Sequence, residues 1–233
     1  MKKIRIVAAT AKNQVEFLHL TLLGQSLSVF PKQTDLEITV FPNNAGDRRK
    51  GLSILYNAFL QPEHENEILL FVHDDVYIHD WYLVHRLNDA IEYFDVIGLA
   101  GNTNPDFNEP SWALAWDSKK YPRGRQSMRY LSGAVGHLIQ GRTLISDYGM
   151  TPQACQLLDG LFMAVNVKKV LDCAVLFDTQ FDYHFYDLDF CRQCHNRGLK
   201  LGTWPIAATH GSGGAFGSPE WKSARDKYLF KWR

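Results

Sequence analysis

Apolar residues crowd four short segments, residues 4–9, 36–41, 67–72 and 96–100, each bounded by polar or turn-forming residues. Short runs of this kind, rich in Val, Ile and Leu, read as strands buried on both faces. Between them the apolar period lengthens to that of a helix. After the first strand, Asn13 stands three residues before Glu16, the pattern of a capping box. Val15, Leu18, Leu22 and Val29 are expected to form the buried face of the helix that follows. Pro42 stops the second strand, and residues 51–60 carry Leu52, Leu55, Tyr56 and Phe59 at helical spacing before Pro62. Asp80 is expected to cap a further helix bearing Val84, Leu87 and Ile91. This alternation of strand and helix predicts an α/β fold with a mainly parallel sheet and crossover helices.

The second half is less regular. Residues 102–131 mix Asn, Pro, Trp and Arg, as a long functional loop does. Residues 133–139 and 160–165 read as strands, and 187–197 as a helix closed by Gly198. Residues 199–207 read as a strand interrupted at Pro205, and Ser218 with Pro219 opens a last helix. No repeat or linker divides the 233 residues, so a single domain is expected.

Composition narrows the partners. Lys+Arg and Asp+Glu both number 25, so no global basic field draws nucleic acid, and none is expected as a partner. No stretch approaches the ~18–20 apolar residues of a membrane span. The opening MKKIRIVAAT is cut short by Asn13 and Glu16 and reads as a strand, not a signal peptide. Cys155, Cys173, Cys191 and Cys194 make no disulfide framework, which favours a reducing, cytoplasmic setting.

Four segments carry candidate chemistry. FVHDDV (71–76) puts His73, Asp74 and Asp75 at the carboxyl end of a buried strand, where open α/β sheets bind ligands. Adjacent carboxylates there repel unless a cation joins them, and a hard divalent ion shared with substrate phosphates is the natural remedy. The alternative is an exposed acidic turn. FDYHFYDLDF (181–190) crowds Asp182, Asp187 and Asp189 at a helix start, where a carboxylate stays ready to accept a proton or simply caps the helix. ATHGSGG (208–214) ends a strand in His210 and follows it with glycines that let backbone approach a phosphate. DGLFMAVN (159–166) enters a strand through Asp159 and Gly160, as a turn or as a grip on a sugar hydroxyl. Trp112, Trp116, Tyr121 and Trp204 can stack on sugar rings or pack in the core, with core favoured for Trp204. Arg123, Arg125 and Arg129 can pair with phosphates or lie in solvent.

Two rival motifs overlap these. His73-x-Asp75 with distant His210 matches the two-His-one-carboxylate set of non-haem Fe(II) oxygenases. CRQCH (191–195) matches a c-type haem attachment pattern, yet Cys191 and Cys194 also share one helical face.

In their order along the chain, IRIVAAT, NNAGDRRKGLSILYNAF, FVHDDVYI, DGLFMAVN, FYDLDFCRQCHNRG and ATHGSGG resemble family 2-type glycosyltransferases of the GT-A fold, especially the small StrF-like bacterial group. The resemblance implies one GT-A domain with a single mixed sheet. Residues 1–101 would bind nucleotide and 102–233 would face the acceptor. It implies an inverting hexosyltransferase that uses Mn2+ or Mg2+, a UDP-, dTDP- or GDP-sugar donor and a carbohydrate or lipid-linked acceptor, as in bacterial polysaccharide synthesis. Asn43 matches the base-reading position, and Thr10, Asn43, Lys50, His73 and Asp74 are expected on the donor side. Asp75 and His210 are the expected metal ligands and Asp187 the catalytic base, with Asp159, Gly160 and Trp112 on the acceptor side. Three positions depart from the family pattern: Asn43 replaces an Asp, His73 the first acid of D-x-D, and Tyr186 a frequent Glu. A sugar-nucleotide-binding domain without catalysis is the remaining alternative.

Overall fold

The computed structural model describes residues 1–31, 34–107, 109, 111–113, 128–212 and 217–233. Trp116, Tyr121, Arg123, Arg125, Gly213 and Gly214, singled out above, lie outside the described residues. The strands are β1 (Lys3–Ala9), β2 (Leu36–Phe41), β3 (Glu67–Val72), β4 (Val76–Ile78), β5 (Val96–Gly98), β6 (Ala100–Asn102), β7 (Leu131–Ile139), β8 (Arg142–Gly149), β9 (Gln153–Cys155), β10 (Leu157–Leu158), β11 (Phe162–Asn166), β12 (Leu201–Thr203) and β13 (Ala208–His210). The helices are α1 (Gln14–Leu20), α2 (Leu22–Ser28), α3 (Leu52–Asn57), α4 (Leu83–Ala90), α5 (Val167–Asp172), α6 (Tyr186–Asn196) and α7 (Pro219–Lys231).

One mixed sheet runs in the order β2-β1-β3-β11-β5-β12-β9. Its first three strands are parallel, as the alternation predicts. β11, from the second half of the chain, then inserts antiparallel between β3 and β5. β3 lies inside the sheet between β1 and β11, and its side chains alternate between two cores. Leu69 and Phe71 join Tyr56, Phe177 and Phe190 on one face, while Ile68, Leu70 and Val72 join Ile4, Phe17 and Leu23 on the other.

A second sheet, β10-β6-β7-β13-β4 with β8 on β7, was not visible in the sequence. The predicted strand 96–100 splits at Leu99, because the chain leaves one sheet for the other there, and the predicted strand 199–207 keeps only Leu201–Thr203 in the first sheet, with β13 following beyond the Pro205 interruption in the second. It also crosses between β3 and β4 through His73–Asp75 and between β10 and β11 through residues 159–161.

The local signals hold at several element ends. Asn13 and Glu16 form the capping box, Ser218 accepts the Trp221 N–H, and Gly198 takes φ +77° just beyond α6. The expected buried face of the first helix is corrected. Val15, Leu18 and Val29 are exposed and Leu22 half-buried, while Phe17, Leu23 and Leu27 are buried. The cause is Thr21, whose extended backbone ends α1 and whose hydroxyl accepts the Gly24 N–H to start α2, so one period does not run through both helices. Cys191 and Cys194 are both buried in the first core, so the CRQCH pair is a core-facing helix side. Trp204 packs against Tyr93 and Phe94, in keeping with the core reading.

Candidate functional site

The β3–β4 crossing is fastened residue by residue. The His73 N–H donates to the Leu161 carbonyl at 3.0 Å, the Asp74 carbonyl accepts the Leu23 N–H at 3.0 Å, and the Asp75 carbonyl accepts the Gly211 N–H at 2.8 Å. Three different elements thereby fix three consecutive polar residues at the end of an apolar strand. The side chains of His73, Asp75 and His210 converge, and one potential ligand atom from each lies within 4.8 Å of the others. His210 Nε2 is 3.3 Å from Asp75 Oδ1. Burial works against the Asp75 charge, but the His210 bond and charge outweigh it and hold the carboxyl at about 2. Burial also disfavours charged His210, yet Asp75 raises it above its ordinary value. Burial lowers His73.

A cavity of about 480 Å³ opens beside this cluster, at the carboxyl ends of β1 and β3. Thr10, His73, Asp74 and Asp75 line it, together with Asn44, Arg49 and Tyr183. Burial raises Asp74, and a hydrogen bond with the Thr10 side chain offsets part of that. Of the expected donor residues, Asn43 and Lys50 stand outside the cavity wall. Asn43 takes a left-handed conformation (φ +56°), and its neighbour Asn44 forms the wall instead. The Asn44 side chain bonds the backbone N–H and carbonyl of Lys50 and the Tyr183 hydroxyl, closing the 44–50 loop. The Arg49 guanidinium lies 3.5 Å from the centroid of the Tyr183 ring.

Asp187 sits in the first turn of α6, where the helix dipole favours its charge. Burial and the nearby Asp159 nevertheless push it up to about 7, against backbone hydrogen bonds that lower it. Its Oδ2 accepts the Gly160 N–H at 2.9 Å. Gly160 must be glycine, since a Cβ there would lie 2.6 Å from Tyr186 Oη and 2.7 Å from Asp187 Cβ. Asp159 closes its own turn by accepting the Leu161 N–H. Phe185, just before α6, is held at φ +66°, an unfavourable conformation for a bulky residue. Trp221 and Tyr228 of α7 pack on its ring and keep it there. Asp189 is already committed to Lys231, Trp232 Nε1 and Gln193, which leaves Asp187 as the carboxylate open to other work. Half-buried Trp112 meets Tyr148 edge-on, with ring centroids 5.2 Å apart.

The sequence matches no protein-family model and no curated protein. Solved structures do match. The crystal structure of GalNAc-T7 with UDP, GalNAc and Mn2+ aligns at a TM-score of 0.60 and 9% identity, covering 99% of this chain and 48% of that one. The mannosyltransferase PcManGT from Pyrobaculum calidifontis, in complex with GDP-Man and Mn2+, aligns at 0.53 and 11%, covering 98% of this chain and 62% of that one. The chain has the GT-A fold. It spans less than two thirds of the length of either of these transferases. A197 from STIV aligns at 0.47 and 12% identity over 89% of this chain and 85% of that one.

Within this GT-A chain the donor set of His73, Asp75 and His210 tests which ion fits. Two imidazoles and one carboxylate suit a first-row transition dication, whereas Mg2+ prefers all-oxygen octahedra. Mn2+ therefore fits better than Mg2+. Sequence reading missed Asn44, Arg49, Tyr183 and the hydrogen-bonding part of Tyr186. Only the NNAGDRRK segment hinted at the first two.

Proposed function

We propose that the chain is a Mn2+-dependent, inverting glycosyltransferase that takes a sugar from a nucleoside-diphosphate donor to an acceptor hydroxyl. The observation that carries this reading is the meeting of the His73–Asp75–His210 cluster with a strand-end cavity. His73, Asp75 and His210 would hold a divalent ion, which would supply Lewis acidity to the departing diphosphate. The cavity between Thr10, Asn44 and Arg49 receives the nucleotide, and Arg49 offers the positive charge for its phosphates. Asp187 takes the acceptor proton through the oxygen that Gly160 leaves open, as a general base does. Asp159 and Trp112 orient the acceptor. A single base and a leaving group on opposite sides of an oxocarbenium-like centre give inversion. The kinship with small StrF-like transferases, a cytoplasmic setting and the division into donor half 1–101 and acceptor half 102–233 belong to this same reading. They rest on motif order and composition. Among the described residues, no helix is long and apolar enough to cross a membrane.

One observation favours a second reading: the same three side chains form the ligand set of non-haem Fe(II) oxygenases. Thermal-shift measurements separate the two. UDP, dTDP and GDP, alone and as sugar conjugates, are screened with Mn2+, Mg2+ or no metal, because a ligand that binds only the folded form raises its midpoint. Stabilisation by one nucleotide that requires Mn2+ is expected. Stabilisation by Fe(II) with 2-oxoglutarate and by no nucleotide overturns the transferase reading. Binding without turnover of any donor leaves a sugar-nucleotide-binding module in its place.

A further inference from the structure

His73 can offer a cation only one nitrogen, and which one depends on the proton on the other. The His73 Nε2 lies 2.7 Å from the Tyr186 hydroxyl, and that hydroxyl lies 3.0 Å from the Gly160 carbonyl. Tyr186 and Gly160 are both buried, and the Gly160 carbonyl has no other hydrogen-bond donor among the described residues. A carbonyl only accepts, so the single hydroxyl hydrogen is committed to Gly160. The hydroxyl oxygen must then accept from His73, which places the imidazole hydrogen on Nε2. Nδ1 has no hydrogen-bond partner among the described residues and keeps its lone pair.

We propose that Tyr186 is a positioning residue that locks His73 as the Nε2–H tautomer and so presents Nδ1 as the third ligand of the cation. This rests on the metal-dependent reading above. The arrangement is that of a ligand histidine oriented through its outer nitrogen, where loss of the partner typically weakens metal binding by ~10–100-fold. Gly160, whose carbonyl orders Tyr186, also donates its N–H to Asp187, so one residue registers the cation ligand and the proposed base together through its two flanking peptides.

Two measurements test the inference. Long-range proton–nitrogen correlation spectra of metal-free, histidine-labelled protein, with the signal assigned by His73→Gln, report the tautomer directly. The Nε2–H form is expected in the unaltered protein, and a mixture of forms in Tyr186→Phe, which keeps the ring and its packing. Finding His73 as the Nδ1–H form in the unaltered protein overturns the inference even if the variant fails to fold. Calorimetric titration with Mn2+ alone is the second measurement, and a loss of roughly 10–100-fold in affinity is expected for Tyr186→Phe. Equal Mn2+ affinity in a folded Tyr186→Phe overturns this inference but leaves the metal site standing. Failure of the unaltered protein to bind Mn2+ overturns both.

Discussion

His210 Nε2 and Asp75 Oδ1 lie 3.3 Å apart, close enough that each fixes the charge of the other. Between about 2 and 6.5 the metal-free pair is an imidazolium and a carboxylate, since Asp75 is held near 2 and His210 is raised above its ordinary 6.5. A cation must displace the His210 proton to bind. Mn2+ affinity should therefore rise with pH above 6.5, and binding should release a proton, seen as a buffer-dependent heat in calorimetry. The stability signs follow the two shifts. The His210 contribution is complete below 6.5 and fades as pH climbs through its raised folded value. The Asp75 contribution is complete above 3.8 and fades as pH falls through about 2. Melting of metal-free protein should then be highest between these limits, and Asp75→Asn should flatten the profile.

Asp187→Asn should lower kcat by about 10²–10⁴-fold with KM little changed, as loss of a general base does. Only the ionised carboxylate accepts a proton, and burial with Asp159 places its titration at about 7. The rate of the unaltered protein should climb as pH passes upward through that region. A steady-state pH series on both proteins checks this, and an acid limb that survives in the variant assigns the titration elsewhere.

Gly160→Ala would drive a methyl group against Tyr186 Oη and Asp187 Cβ. Overpacking of this kind costs about 1–3 kcal/mol, and each kcal/mol lowers Tm by roughly 2–4 °C at this chain length. The variant should remain folded yet lose most of its transfer rate, because both neighbours must move. Scanning calorimetry beside a donor-consumption assay gives the comparison.

Asp189 is fully buried, and Lys231 answers its charge at 2.7 Å. Burial alone raises its carboxyl, and Lys231 and Trp232 counter that only in part. Lys231→Met should cost about 3 kcal/mol by leaving the carboxylate without its countercharge. Adding Asp189→Leu should recover much of the loss, and a double-mutant cycle of denaturation midpoints measures the coupling.

What the sequence disclosed was mostly local. A capping box needs only Asn13 and Glu16, a helix stop only Gly198, and a strand only its own apolar run, so β1, β2, β3 and α3 were legible, although β2, at the sheet edge, is half-buried or exposed and not buried on both faces. The β7–β8 hairpin was not, because its turn at Gln140 and Gly141 (φ +50° and +75°) lacks the Asn-Gly or Asp-Gly pair that usually marks one. The second sheet was hidden for another reason. β6 continues a run that looks like a single strand, and only pairing with distant partners splits that run at Leu99. The candidate site shows the same division. His73, Asp75, His210 and Asp187 each stood out by residue type and element end. Tyr186 registered only as a departure from an expected Glu, and Asn44, Arg49 and Tyr183 went unseen, since their places depend on loop closure in three dimensions.

The points where the chain passes from one sheet to the other include His73–Asp75, and His210 ends a strand of the second sheet alone. An ion gripped by all three residues would act as a rivet through two plates. Its binding energy would oppose any parting of the plates, so amide exchange in β4 and β13 should slow together when Mn2+ is added, although neither strand touches the nucleotide cavity.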